Sequence, residues 1–385
     1  MKVLFDTTIF DQQRIGGISR YCFDLMMGLK GEELVFPCEY SNNHLLESEG
    51  RFSAIKRYPV EREQFKFLRR FKRLKERVFA TGKEVIPPNQ QNRMNVIAEL
   101  EKGQFDVFHP TYYADYFIGK LKGGKMVVTI HDMIHEKFPE FFPFSDKTAL
   151  YKQNMIEKAD AIIAISESTK LDIQRFYPTL SKKIFVVYHS LTSEKIKYDN
   201  ERTILLTPQK YLLFLGVREG YKNFYFMVRA LRPLFLADRE LHLVCTGAPF
   251  SREEVEWLAQ LGLSNQIVSF FFEEKVLPAL YRHAEALLFP SLCEGFGYPI
   301  LEAFTNSCPV VLSRIPVMEE IAGDAAVYFD PKDPVELLSC VKNLLEKGEI
   351  RRSLRERGAK QVLRYSRKST LQGTFDVYRS VIENA

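Results

Sequence analysis

Runs of apolar, β-branched and aromatic residues alternate along the chain with longer stretches of helical period, the pattern of parallel sheets wrapped by helices. In the first half the strands read Lys2–Thr8, Glu33–Cys38, Phe105–His109, Lys125–His131, Ala161–Ser166 and Lys183–His189. Helices are predicted near Gly17–Leu29, Phe65–Phe79, Asn92–Lys102, Ser145–Lys158 and Ser168–Phe176. A polar stretch from Thr192 to Gln209, with Pro208 near its end, breaks the alternation as a linker does. The pattern then restarts with strands Tyr211–Val217, Leu241–Thr246, Ile267–Phe271, Ala286–Pro290, Pro309–Ser313 and Ala326–Phe329, and from Pro334 onward only helix is predicted. The expected architecture is α/β: two Rossmann-like, doubly wound lobes facing a central cleft. Their expected bounds are residues 1–195 and 196–365, with a helix over 366–385 packing back on the first lobe.

Length agrees with two lobes, because single cores stop growing at about 250–300 residues and this chain has 385. With 46% hydrophobic and 27% charged residues of both signs, the composition is that of a folded, soluble protein. The apolar run Val3–Phe5 meets Asp6 too soon for a signal peptide or membrane helix. A cytoplasmic location is expected, with attachment at the inner face of the membrane as the open alternative. Six cysteines without CxxC spacing predict neither a zinc site nor a disulfide framework, and core filling is their expected role. A net charge of +5 does not by itself indicate nucleic-acid binding, and none is expected.

In open α/β sheets ligands bind beyond the carboxyl ends of the strands, and the distinctive residues lie there. After the strand ending at Pro290 comes Cys293-Glu294-Gly295-Phe296-Gly297-Tyr298-Pro299-Ile300-Leu301-Glu302-Ala303. Gly295 and Gly297 allow close approach of the main chain, Pro299 suits the first turn of a helix, and Glu294 and Glu302 offer two carboxylates to a polyhydroxyl ligand. After the first strand of the second lobe comes Gly216-Val217-Arg218-Glu219-Gly220-Tyr221-Lys222-Asn223. In the first lobe Gly16-Gly17 opens a helix without forming GxGxxG, and His131-Asp132 follows an apolar strand.

The order apolar strand, Glu-Gly-Phe-Gly, Pro, Glu-Ala resembles the signature of the retaining GT-B glycosyltransferases, in particular glycosyltransferase family 4. The resemblance extends along almost the whole chain and is densest from Leu213 to Asp330. It implies transfer of a hexose from a nucleotide-diphosphate sugar to a glycan or lipid-linked acceptor in surface polysaccharide synthesis. It assigns Glu294 to the donor sugar, Glu302 to the nucleotide ribose, and Gly295, Phe296 and Gly297 to the donor loop. Lys222 is assigned to the diphosphate, His131 to the neighbourhood of the donor sugar, and Gly16 and Gly17 to the loop near the phosphates. Arg218 is a second candidate for the diphosphate, with a solvated loop charge as the alternative, since Tyr221 stands where many relatives carry Arg. The family needs no resident cofactor or metal: the leaving diphosphate takes the acceptor proton in a front-face displacement.

The sequence departs from the family in two places that bear on the donor, Phe270-Phe-Phe-Glu-Glu-Lys275 and Ser307-Cys308-Pro309. GDP-mannose is favoured only through the Gly-Gly-Ile-x-Arg-Tyr loop, which resembles some O-antigen mannosyltransferases. Residues 62–79 carry Phe65, Leu68, Phe71, Leu74 and Val78 at helical spacing among basic residues, fitting either an anionic membrane surface or a packed helix with a solvated basic face. Rival readings are another GT-B enzyme, an epimerase or phosphorylase, and a non-catalytic nucleotide-sugar-binding or membrane-docking protein.

Overall fold

The computed structural model describes residues 1–30, 33–58, 87–191, 207–270 and 276–383. The predicted basic helix at 62–79 and most of the predicted linker at Thr192–Gln209 lie outside these residues. Among the described residues the chain forms two six-stranded parallel sheets. The first has strands β1 (Val3–Phe5), β2 (Leu34–Val35), β3 (Val107–His109), β4 (Lys125–Ile130), β5 (Ala161–Ala164) and β6 (Ile184–Val186), in the order β2-β1-β3-β4-β5-β6. The second has β7 (Lys210–Leu215), β8 (Leu241–Thr246), β9 (Ile267–Phe270), β10 (Ala286–Phe289), β11 (Val310–Ser313) and β12 (Val327–Phe329), in the order β12-β11-β10-β7-β8-β9. Every predicted strand is present. The second is shorter than predicted, because Pro37 follows Phe36 and cannot donate to a ladder.

Helices fill the connections: α1 (Thr8–Gln12), α2 (Gly17–Gly28), α3 (His44–Ser48), α4 (Pro88–Lys102), α5 (Ile134–Lys137), α6 (Thr148–Lys158) and α7 (Glu167–Phe176) belong to the first half. In the second half they are α8 (Phe224–Ala237), α9 (Arg252–Leu261), α10 (Leu277–His283), α11 (Tyr298–Thr305), α12 (Pro316–Ala322), α13 (Pro334–Glu346), α14 (Gly348–Gln361) and α15 (Arg367–Glu383). The helix predicted from Asn92 starts earlier, at Pro88, where the fixed φ of proline suits a first turn. No helix among the described residues is long and apolar enough to cross a membrane.

The sheets read as continuous apolar runs because helices cover both faces of a parallel sheet. Tyr211, Leu212, Leu213 and Phe214 of β7 are all fully buried, and α8 lays Phe224, Met227, Val228, Leu231 and Phe235 against that sheet at helical spacing. Contacts divide the chain into two compact units. One is Met1–Thr129 with Leu150–Ile162 and Val377–Ala385, and the other is Ile130–Ala149 with Ile163–Asp376. Within the first unit Tyr378, from the end of α15, is buried and its hydroxyl meets His109 Nδ1. The other ring nitrogen of His109 lies 2.9 Å from Thr129 Oγ1.

Candidate active site

In the second sheet β10 and β8 both pair with β7, so the strand order reverses at β7. The loops after β7 and β10 leave this point side by side, and such a switch point is where doubly wound sheets bind ligands. Lys222 comes from the first loop and Glu294 from the second. Their Nζ and Oε1 atoms are 2.6 Å apart, and both side chains are largely shielded, at 14% and 11% exposure. Leu292 N–H donates to the Tyr221 carbonyl at 2.7 Å and ties the two loops together. The Lys222 ammonium also lies over the rings of Phe289 and Tyr221, at 5.1 and 5.3 Å. The buried hydroxyls of Ser291 and Ser313 find no hydrogen-bond partner among the described residues, which leaves two spare polar groups at this carboxyl edge. Cys293 is buried, and burial pushes its thiol up to about 12, so it stays protonated and is no nucleophile.

The glycines of the Glu294–Gly297 loop have separate reasons. A Cβ on Gly295 would fall 1.7 Å from the His131 carbonyl oxygen, so any side chain there forces the two backbones apart. Gly297 has φ 113°, in the left-handed region, and precedes α11, whose first turn contains Pro299. One turn into that helix Glu302 accepts a 2.7 Å hydrogen bond from the Tyr281 hydroxyl, which fixes its carboxylate. Phe296 is buried against Tyr365 and His189.

His131 follows β4 directly and is buried, with the His189 ring stacked 5.6 Å away. His189 in turn stacks on Tyr298 at 5.2 Å. Burial, with a smaller effect from His131, holds His189 well below the usual histidine range, so it is neutral at pH 7. Sequence reasoning singled out His131 and left His189 as the end of a strand, although both follow apolar strands. At the end of another strand, Ser166 fits a helix cap or a ligand contact equally well by sequence. Ser166 does cap α7, accepting from Thr169 N–H at 3.0 Å, but its hydroxyl and that of Thr169 also reach the Gly295 carbonyl, at 2.8 and 3.2 Å. Glu320 accepts the next two N–H groups, of Glu167 and Ser168, at 2.7 and 2.9 Å.

Arg218 is neither a solvated loop charge nor open to a ligand in this structure. Its guanidinium makes a two-pronged ion pair with Glu254, at 2.6 and 3.0 Å, and donates to the carbonyls of Ala248 and Pro249. Both side chains are under a tenth exposed, and Arg218 holds the Glu254 carboxyl below the ordinary range. Contacting a diphosphate would require breaking this cluster, whereas Lys222 lies at the switch point itself, paired with Glu294. An open cleft of about 540 Å³ borders the same loops through Phe141, Gly220, Asn223 and Leu292, but Lys222, Glu294 and Glu302 do not line it.

In the first unit, the loop after β1 carries Gly16 and Gly17. Gly16 is extended and Gly17 begins α2, whose Ser19 hydroxyl donates to the Gly16 carbonyl at 3.0 Å. A Cβ on Gly16 would displace the Gln13 side chain, which accepts from Ser19 N–H. Asp6, fully buried at the end of β1, accepts from Thr111 N–H and Oγ1 at 2.6 Å each and from the Tyr116 hydroxyl at 3.0 Å, joining the carboxyl ends of β1 and β3. Burial holds its carboxyl above the usual range despite these bonds.

Residues 15–194 match the profile of Glycosyltransferase Family 4, and residues 198–361 match that of Glycosyl transferases group 1. The O-antigen chain mannosyltransferase RfbU of Salmonella typhimurium is 26% identical over 219 residues, a match spanning 56% of this chain and 60% of that protein. O-antigen chain mannosyltransferase B of Escherichia coli is 25% identical over 287 residues, spanning 71% of this chain and 74% of the relative. Among solved structures, Anabaena HepE, crystallised with UDP and glucose, superposes with a TM-score of 0.71 at 16% identity, covering 99% of this chain and all of the other. A glycosyltransferase from Rickettsia africae superposes at 0.68 and 17% identity, covering 100% and 99%. The two profiles together take in most of the chain, the sheets are those of the GT-B fold, and the chain belongs to the GT-B glycosyltransferases of family 4 and group 1.

Proposed function

We propose that this protein transfers a mannosyl residue from GDP-mannose, with retention and without a metal, to a glycan or lipid-linked acceptor in surface polysaccharide synthesis. The observation that carries the reading is the Lys222–Glu294 pair at the switch point of the second sheet. A cation and a carboxylate held together there match the two ends of a nucleotide-sugar's reacting bond. Lys222 would turn to the diphosphate, where negative charge grows as the sugar departs, and Glu294 would be released to the sugar hydroxyls. Glu302, already oriented by Tyr281, faces the nucleotide in this reading. His131 would flank the donor sugar, its backbone pinned by Gly295. The departing diphosphate oxygen accepts the acceptor proton, and the protein contributes positioning and charge stabilisation. Mannose is favoured by the names of the O-antigen relatives, while the UDP bound in HepE keeps a UDP-sugar as the competing donor.

The test is a donor screen, in which the protein is incubated with GDP-mannose, UDP-glucose and dTDP-glucose and release of the nucleoside diphosphate is followed with and without a polysaccharide-repeat acceptor. Release from GDP-mannose, accelerated by acceptor, is the expected result. Turnover of a UDP-sugar alone would replace the donor and keep the enzyme class. Interconversion of free sugar nucleotides, phosphorolysis, or binding without turnover would replace the reading.

A further inference from the structure

Tyr281 sits in α10, the helix that leads into β10, and is only 1% exposed. Its ring packs in the same buried cluster as Ile300, Leu301 and Phe304 of α11, a task that phenylalanine would perform equally well. The hydroxyl is the difference. A buried hydroxyl needs a partner, and this one donates to Glu302 Oε2 at 2.7 Å, across 21 positions of sequence.

Both sides of that bond are held from behind. Tyr211, fully buried in β7, donates its hydroxyl to the Leu280 carbonyl at 2.7 Å and so fixes α10 against the strand whose loop carries Lys222. The Asn306 N–H and side-chain amide both donate to the Glu302 carbonyl, at 3.1 and 2.9 Å, and close the end of α11. Glu302 itself is half-buried, so its carboxylate is shielded without being sealed in. A long side chain that is pinned before a ligand arrives has less rotamer freedom to lose on binding.

We propose that Tyr281 is a positioning residue for the donor: it presents Glu302 to the vicinal hydroxyls of a ribose and gives the protein a preference for ribonucleoside over 2′-deoxyribonucleoside diphosphates. The proposal rests on the reading that Glu302 faces the nucleotide. An ionised carboxylate accepts hydrogen bonds and donates none, with capacity for about four, so it can serve Tyr281 and both hydroxyls of a cis-diol together. A 2′-deoxyribose supplies one of those hydroxyls. A site built for a hydroxyl rejects the analogue that lacks it, because the acceptor gives up water without a replacement. Sugars carried on dTDP, whose pentose is 2′-deoxyribose, are therefore poorer donors than sugars carried on GDP or UDP.

The experiment is calorimetric titration of GDP and UDP, each beside its 2′-deoxy form, into wild type, Tyr281→Phe and Glu302→Ala, with melting temperatures recorded for all three. Wild type is expected to bind the ribonucleotide of its preferred base about tenfold or more tightly than the deoxy form, the size of one hydrogen bond to a charged group. In Tyr281→Phe, which keeps the ring and its packing, the ribonucleotide should weaken about 3- to 10-fold while the deoxy form stays within about twofold, so that the preference shrinks to about threefold or less. Glu302→Ala should abolish the preference. If Tyr281→Phe melts lower or binds both forms more weakly in proportion, with the preference intact, the tyrosine only packs, and the proposal fails while Glu302 keeps its place. An unchanged preference in Glu302→Ala, no preference in wild type, or no binding of either ribonucleotide would overturn the reading of Glu302 together with the proposal.

Discussion

Lys222 and Glu294 neutralise each other across 2.6 Å in a shielded setting, so a ligand has to separate them before either can act on it. A diphosphate would offer the ammonium more negative charge than one carboxylate does, and the proposed reading requires that exchange. Another residue shows the opposite arrangement. Asp11, near the glycine loop of the first unit, is raised to about 6 by burial, against bonds from Tyr58, Asn92 and Thr7 that pull it down. The folded carboxyl therefore holds its proton more tightly than the unfolded chain does, and its contribution favours the fold at low pH. That contribution is lost as pH rises from about 4 to about 6. Asp11→Asn removes the dependence while keeping an acceptor for Tyr58. Between pH 4.5 and pH 7.5 the unfolding free energy of the variant should shift relative to wild type by about 2 kcal/mol in favour of the higher pH. Urea titrations at the two pH values measure this, and parallel changes in both proteins would show that Asp11 titrates normally.

At the scale of elements, α7 supports the Glu294–Gly297 loop through its amino terminus. Ser166 and Thr169 hold the Gly295 carbonyl, and Glu320 takes the adjoining N–H groups. These are positioning residues, since nothing in their geometry puts them on the reacting atoms. Removing both hydroxyls in Ser166→Ala/Thr169→Val costs a cap, typically about 1 kcal/mol, while Glu320 still closes the helix end. It also loosens the main chain between Glu294 and Phe296. A misplacement of about 1 Å near the chemistry can cost roughly 100-fold in rate, so kcat is expected to fall by about 10- to 100-fold. The Kd for GDP should stay within about threefold, because Lys222 is untouched, and Ser166→Thr should keep most of the rate. Loss of affinity in step with rate would reduce the two residues to ordinary helix capping.

For the whole molecule, the strands were legible because buried parallel strands are continuous apolar runs, as β7 and β10 are, and the site loops were legible because ligands gather at their carboxyl ends. The pairing of Lys222 with Glu294 was not, since it depends on β10 folding back beside β7 across 72 positions of sequence. Arg218 shows the same limit in reverse: as a loop arginine it fitted either a diphosphate ligand or a solvated charge, and only the fold brings Glu254 within 2.6 Å of it. Gly295 was read as room for a ligand, whereas its immediate constraint is the His131 carbonyl. The central claim is that a nucleoside diphosphate binds at the switch point of the second sheet by displacing Glu294 from Lys222. Calorimetric titration of GDP into wild type, Lys222→Ala and Glu294→Gln tests it most directly. The account predicts that Lys222→Ala weakens GDP by about 10- to 100-fold, as loss of a charge-assisted contact does, and that Glu294→Gln, which frees the ammonium, binds GDP more tightly than wild type. GDP affinity unchanged in both variants would contradict it.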